Sequence, residues 1–147
     1  MTRSFRYYLR VRYQECDAQK VVFNARYSDY IDIAITEFIR AIGFGEALMN
    51  GELDFQLVKQ TIEWQAPAHF DDVLALEVMA NRLGNTSFTL GVTIYRAADG
   101  KQLATAETVY VLVAAATLTK MPLPPLFRAA LEQGAPNHQT DHAGYLS

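Results

Sequence analysis

Hydrophobic and polar residues alternate at the start of the chain and then change to a helical spacing. Residues 5–13 place aromatic and aliphatic side chains on one face and arginines on the other, which predicts a half-buried strand. Residues 27–42 carry hydrophobic side chains three or four positions apart, which predicts one long amphipathic helix. Gly43 and Gly45 favour its end.

The second part of the chain predicts strands joined by short turns. The expected strands cover residues 54–65, 73–83, 86–96 and 103–115, and Gly84-Asn85 and Asp99-Gly100 are hairpin signals between them. A short helix is expected over residues 126–133. The pattern therefore predicts an α+β fold with about five antiparallel strands, in one domain over residues 1–133. Residues 134–147 are polar and show no periodicity, so we expect a C-terminal tail that is mobile or held only by packing.

Composition and charge exclude several classes of function. The chain has 147 residues with 50% hydrophobic residues and a formal net charge of −3, which argues against nucleic-acid partners held by bulk charge. The longest apolar run, residues 109–116, is shorter than the roughly 20 residues of a membrane span. With no targeting segment visible, we expect a cytoplasmic protein. The single cysteine, and three histidines without ligand spacing, predict no metal site.

Asp17 is the leading candidate for chemistry. It lies between the first predicted strand and the long helix, where a carboxylate stands near the free N–H groups of a helix start. A carboxylate beside oxyanion donors is suited to hydrolysis. The alternative is an Asp that only closes a loop. Glu15 is nearby, but alternation along the strand is expected to point it elsewhere.

Residues 11–27, VRYQECDAQKVVFNARY, resemble the opening motif of the hotdog-fold acyl-CoA thioesterases of the 4-hydroxybenzoyl-CoA thioesterase type. In that family a strand with Arg-Tyr leads to an acidic residue, a Val-Val-aromatic step and a helix. Further matching segments follow in the family's order, at residues 62–68, 71–73, 82–88, 104–113 and 121–124. The resemblance extends from residue 9 to residue 132.

The resemblance implies a hotdog fold, with the long helix in the concavity of a curled sheet. It implies hydrolysis of an acyl-CoA to free acid and CoA, with no cofactor because CoA belongs to the substrate. Asp17 would be the nucleophile or general base, and the backbone N–H at Asn24 would polarise the thioester oxygen; the alternative for Asn24 is a helix cap. It also implies a homodimer or homotetramer with active sites at the subunit interface.

Several residues are candidates for substrate contacts. Lys20, Asn24 and Arg26 differ from the residues common in the family, which bears on the substrate more than on the reaction. Lys20 and Arg26 either face Asp17 or the substrate, or are solvated charges. Tyr27 either lines the acyl pocket or belongs to the core. By resemblance, Arg82, Thr86 and Ser87 lie near the bound CoA; the alternative is an ordinary turn.

Two other functions fit the same fold. One is a non-catalytic acyl-CoA-binding protein, against which the presence of Asp17 argues. The other is a hydratase or dehydratase, which needs a His paired with an acidic residue at the helix start, and residues 18–27 contain no His.

Overall fold

The structure, a computed structural model, describes residues 3–146. Its elements in chain order are β1 (Phe5–Arg10), a 3-10 turn (Tyr13–Glu15), α1 (Arg26–Ile39), a π-helical segment (Arg40–Phe44), α2 (Gly45–Asn50), β2 (Phe55–Trp64), β3 (Val73–Leu83), β4 (Ser87–Arg96), β5 (Gln102–Leu112), α3 (Pro125–Gln133) and β6 (Gln139–Asp141). The predicted α+β class is confirmed.

The six strands form one sheet in the order β2-β5-β4-β3-β1-β6. All neighbours are antiparallel except β1 and β6, which run parallel. The register places Phe55 of β2 opposite Leu112 and Trp64 opposite Ala104. The Phe55 end and the Trp64 end of β2 therefore identify the two ends of the sheet along the strand direction.

Helix α1 supplies the centre of the hydrophobic core. Its buried side chains recur three or four positions apart, so they form one apolar stripe against the sheet. They are Tyr27, Tyr30, Ile31, Ala34, Ile35, Phe38 and Ile39. Full burial of an aliphatic or aromatic side chain contributes about 1.5–3 kcal/mol, so this stripe holds the helix in the concavity of the curled sheet.

The segment between β1 and α1 differs from the prediction. The strand ends at Arg10 rather than residue 13, and the 3-10 turn follows. Val11 has the alternating position of a strand residue, but its backbone pairs with the loop before β3: its N–H donates to Asp72 O (2.8 Å) and its carbonyl accepts the N–H of Asp71 (3.2 Å). Helix α1 also ends earlier, at Ile39, and the chain continues as the π-helical segment.

The C-terminal residues contain a strand that the sequence did not predict. Three of them form β6 beside β1, and the N–H of His142 donates to Tyr8 O (3.0 Å). His138 stacks on Phe5 and Tyr145 stacks on Tyr8. The prediction of a tail held only by packing is therefore wrong over residues 139–141, because backbone pairing holds them. The domain boundary at residue 133 stays a prediction.

Strand β2 forms an open edge of the sheet. Among residues 3–146 it pairs with β5 alone. Three large hydrophobic side chains on it are about half exposed: Leu57 (53%), Val58 (57%) and Trp64 (48%). An unpaired strand with exposed hydrophobic residues is a surface that proteins usually cover.

Within the part of the chain that the structure describes, no helix has the length and apolar character needed to cross a membrane.

Candidate active site

Asp17 lies in a tight turn between the 3-10 turn and α1. Its N–H donates to Val21 O and its carbonyl accepts the N–H of Lys20, both at 2.9 Å. Its side-chain Oδ1 accepts the N–H groups of Gln19 (2.8 Å) and Val21 (3.4 Å). The carboxylate therefore does close its own loop, which was the alternative to a chemical role. However, the side chain is exposed, and Oδ2 accepts no hydrogen bond from any residue in the 3–146 range.

The start of α1 carries N–H groups without acceptors. The first bonds of the helix run from Arg26 N–H to Phe23 O (2.8 Å) and from Tyr27 N–H to Asn24 O (3.3 Å). The N–H groups of Asn24 and Ala25 donate to no other residue that the structure describes. Ala25 holds the N-cap position without a side-chain cap, so the Asn24 side chain does not cap the helix. Unpaired donors at a helix start can bind a developing negative charge.

A cleft of about 240 Å³ opens beside these donors. It is lined by Val21, Val22, Asn24, Tyr27, Trp64, Gln65, Ala66 and Pro67. The rings of Tyr27 and Trp64 meet edge to face with centroids 5.9 Å apart. The cleft lies where β2 ends, at the open edge of the sheet. Asn24 and Tyr27 are thus brought together, while Asp17 lies on the loop that supplies Val21 to the cleft wall.

Tyr27 belongs both to the core and to this cleft. Its side chain is buried, and its hydroxyl accepts the N–H of Ala68 (3.2 Å). Burial raises the pKa of Tyr27, with the Ala68 hydrogen bond acting in the opposite direction. The phenol therefore stays neutral at physiological pH.

The basic candidates do not converge on Asp17. Arg26 forms an exposed ion pair with Asp29 (3.3 Å) on the first turn of α1. Lys20 is exposed on the Asp17 turn and adopts a left-handed backbone, with φ of 63°. Among the ion pairs of the described residues, none joins Asp17 to either cation.

Arg82, Thr86 and Ser87 lie at the other end of the sheet from the cleft. They flank the turn between β3 and β4, with Arg82 near the end of β3 and Ser87 at the start of β4; Ser87 O accepts the N–H of Gly84 (2.8 Å), and Ser87 stands opposite Val111. Val111 is at the Phe55 end of β2, whereas the cleft is at the Trp64 end. Nine strand steps of about 3.3 Å separate those ends by roughly 30 Å. Within one chain, this turn and the cleft are therefore separate.

The structure also reveals a group of three side chains, the Glu15 cluster, that the sequence pattern did not predict: Glu15 and Tyr30 are buried, and Arg12 is exposed. Glu15 is 5% exposed, and its carboxylate accepts hydrogen bonds from Arg12 N–H (2.8 Å), Arg12 Nε (3.0 Å), Arg12 Nη2 (2.8 Å) and the Tyr30 hydroxyl (2.8 Å). Burial disfavours its ionised form, but these hydrogen bonds outweigh it and lower the pKa of Glu15. The Arg-x-x-Glu spacing is the sequence signal that could have indicated the pair of Arg12 and Glu15. The contact with Tyr30 forms only in the folded chain and has no such signal.

Cys16, next to Asp17, is not poised as a nucleophile. Burial and then the carboxylates of Glu15 and Asp17 raise the pKa of its thiol, so the thiolate is disfavoured. Between residues 3 and 146, no group of three or more His, Cys, Asp or Glu side chains is placed to hold a metal ion.

The chain is similar to known thioesterases both in a family model and in a curated relative. The family model of the thioesterase-like superfamily matches residues 11–131. The chain is 32% identical over 133 residues to the acyl-CoA thioester hydrolase YbgC of Escherichia coli O6:H1, covering 90% of this chain and 98% of the relative.

Two solved structures share the architecture. The gentisyl-coenzyme A thioesterase BH1999 has a TM-score of 0.75 and 26% identity, covering 86% of this chain and 98% of its own. A hypothetical protein of Aquifex aeolicus, AQ1494, has a TM-score of 0.79 and 26% identity, covering 87% and 99%. The hotdog fold expected from the sequence resemblance is therefore confirmed.

Proposed function

The chain belongs to the thioesterase-like superfamily and is a thioester hydrolase, and we propose that its substrate is an acyl-CoA, hydrolysed to free acid and CoA. One observation supports this most strongly. Asn24, whose N–H has no acceptor among the described residues, lines a cleft, and the loop that supplies Val21 to the cleft wall carries Asp17 with a free carboxylate oxygen. Donors for a negative charge and a carboxylate that can act on a carbonyl thus lie on one short segment.

The reaction can proceed in two ways with these groups. In the first, Asp17 Oδ2 attacks the thioester carbon, the C–S bond breaks, CoA leaves as the thiolate, and water cleaves the resulting anhydride. In the second, Asp17 takes a proton from water as the water oxygen attacks the same carbon, the C–S bond breaks, CoA leaves as the thiolate, and the proton held by Asp17 passes to the thiolate or to solvent. In both, the carbonyl oxygen gains negative charge that the N–H of Asn24 would stabilise. Removing one such donor typically lowers kcat by about 10²–10³.

The open edge of β2 supports a homodimer, or a homotetramer built from dimers. Antiparallel pairing of β2 with β2 of a second copy would cover Leu57, Val58 and Trp64 and satisfy the free backbone groups. Such pairing would place the Phe55 end of one copy beside the Trp64 end of the other.

That pairing would also bring together candidate residues that lie far apart within one chain. It moves the β3–β4 turn of one copy toward the cleft of the other, so Arg82, Thr86 and Ser87 would meet CoA bound mainly by the partner. We propose that these residues, with Lys20 and Arg26, contact the anionic and polar parts of CoA, since Arg and hydroxyl donors suit phosphates. The cytoplasmic location stays a prediction from the sequence.

The test is hydrolysis by the purified chain of a panel of CoA thioesters with short, aromatic and long fatty acyl groups. Release of free CoA, read with a chromogenic thiol reagent, should be enzyme-dependent for at least one class. Binding of a panel member by calorimetry without any thiol release would favour the non-catalytic acyl-CoA-binding alternative. The absence of both thiol release and binding for every member of the panel would contradict the proposed substrate class.

A further inference from the structure

Glu15 joins the Asp17 loop to α1 at more than one point. Its backbone carbonyl accepts the N–H of Phe23 (3.0 Å), the residue before Asn24. Its carboxylate accepts the hydroxyl of Tyr30 (2.8 Å), which is buried one turn into the helix. Asp17 follows Glu15 closely in sequence. One residue therefore connects the segment that carries the free carboxylate with the segment that carries the free N–H groups.

The side chain of Glu15 is held in a single position. Both of its oxygens are used: Oε1 accepts Arg12 N–H and Tyr30 Oη, and Oε2 accepts Nε and Nη2 of Arg12. Hydrogen bonds to a charged acceptor are short and directional, so the carboxylate cannot rotate without breaking them. Glu15 and Thr108 are the buried polar residues among those described, and of the two only Glu15 is charged.

We propose that Glu15 is a positioning residue for the hydrolysis, fixing Asp17 relative to the N–H groups at the start of α1. The inference rests on the proposed function, because it assigns Glu15 an effect that acts through Asp17. Arg12 is 66% exposed, and an ion pair with an exposed partner contributes little to stability, so the consequence of the Arg12–Glu15 pair for hydrolysis is geometric. Displacement of a reacting group by about 1 Å can lower the rate by roughly 10²-fold.

The decisive experiment is a double-mutant cycle in kcat and KM. Glu15→Gln keeps the shape and removes the charge that holds Arg12 and Tyr30. We expect kcat to fall by about 10-fold to 100-fold while KM changes less than about threefold, since binding groups are untouched. In an Asp17→Asn background, the same change should lower the residual kcat by less than about threefold, because the positioned group is already lost.

Two further variants keep the test decisive. Tyr30→Phe removes one of the four hydrogen bonds without changing charge, and we expect kcat to fall about threefold to tenfold; it decides the question if Glu15→Gln does not fold. Glu77→Gln is the matched control, because Glu77 also accepts an Arg Nε, that of Arg6 at 2.9 Å, but lies on β3 outside the cleft. It should leave kcat within about twofold.

The outcomes separate this inference from the proposed function. A folded Glu15→Gln protein with unchanged kcat, equal losses from Glu15→Gln in both backgrounds, or an equal loss in Glu77→Gln would overturn the positioning role. If Asp17→Asn itself keeps the full kcat, the mechanism under the proposed function fails instead.

Discussion

Removing the Tyr30 hydroxyl should destabilise the fold by an amount that depends on pH. Tyr30→Phe conserves the ring, which is 2% exposed, and deletes the 2.8 Å hydrogen bond to Glu15. A hydrogen bond to a charged group contributes about 1.5–3 kcal/mol. For a chain of this length each kcal/mol lowers Tm by about 2–4 °C, so Tm should fall by about 3–12 °C at pH 7.

The pH dependence follows from the ionised state of Glu15. Although burial opposes ionisation, bonds from Arg12 and Tyr30 hold the pKa of Glu15 below its ordinary value. A carboxyl whose pKa is lowered in the folded state makes its full contribution to the stability of the fold at pH values above its unfolded pKa, which is about 4.3 for Glu. That contribution is lost as the pH falls through the folded pKa. The stability difference between wild type and Tyr30→Phe should therefore be full at pH 7 and shrink below about pH 4.

Urea unfolding of both proteins from pH 7 to pH 3 measures this difference. Tyr145→Phe is the control, because its hydroxyl makes only an exposed 3.3 Å bond to Ala97 O. That variant should stay within about 0.5 kcal/mol of wild type at every pH. A Tyr30→Phe protein as stable as wild type at pH 7, or a difference that grows as the pH falls, would refute the account of the Glu15 cluster.

Two predictions concern assembly and substrate binding. Leu57→Glu places a charge on the open β2 edge and should give a monomer by analytical ultracentrifugation, with greatly reduced activity in kinetic assays, whereas Leu126→Glu, at a leucine on α3 that is 80% exposed against 53% for Leu57, should change neither; an active monomer would contradict the shared site. If exposed basic residues hold the CoA phosphates, KM should rise several-fold with ionic strength while kcat changes little, and a pantetheine thioester should have a higher KM. Equal KM values for the two substrates would exclude the phosphate contacts.

The parts of the fold with one buried face could be predicted from the sequence. Helix α1 buries helically spaced side chains and β4 buries alternate ones, so their periodicity is visible in the sequence. Strand β6 could not be predicted, because its three residues are polar and are held by backbone pairing, which leaves no hydrophobic pattern. The extended pattern through residues 11–13 was misleading, since Val11 pairs with a loop and not with a strand.

The site was predictable only in part, for physical reasons. Asp17 and Asn24 belong to one continuous motif, so sequence places them on one segment with the helix start. The buried state of Glu15 depends on Tyr30, which approaches it through the packing of α1 and has no signature near residue 15. The distance from Arg82 to the cleft depends on the sheet register, and its relation to a bound CoA depends on a second copy of the chain.

The most direct test of the catalytic assignment is kcat of Asp17→Asn on a substrate that the wild type cleaves. Asn keeps the size and the Oδ1 acceptor for the turn, so the fold and assembly should survive. The control is Asp99→Asn, because Asp99 Oδ1 likewise accepts a backbone N–H from the second residue after it, Lys101, at 3.1 Å. Thermal unfolding and ultracentrifugation confirm that both variants are intact.

We expect kcat of Asp17→Asn to fall by about 10²–10⁴ if Asp17 is the general base, and further if it is the nucleophile. Asp99→Asn should stay within about twofold of wild type. A folded Asp17→Asn protein with wild-type kcat would contradict the role of Asp17 and leave hydrolysis to the N–H donors of the cleft alone.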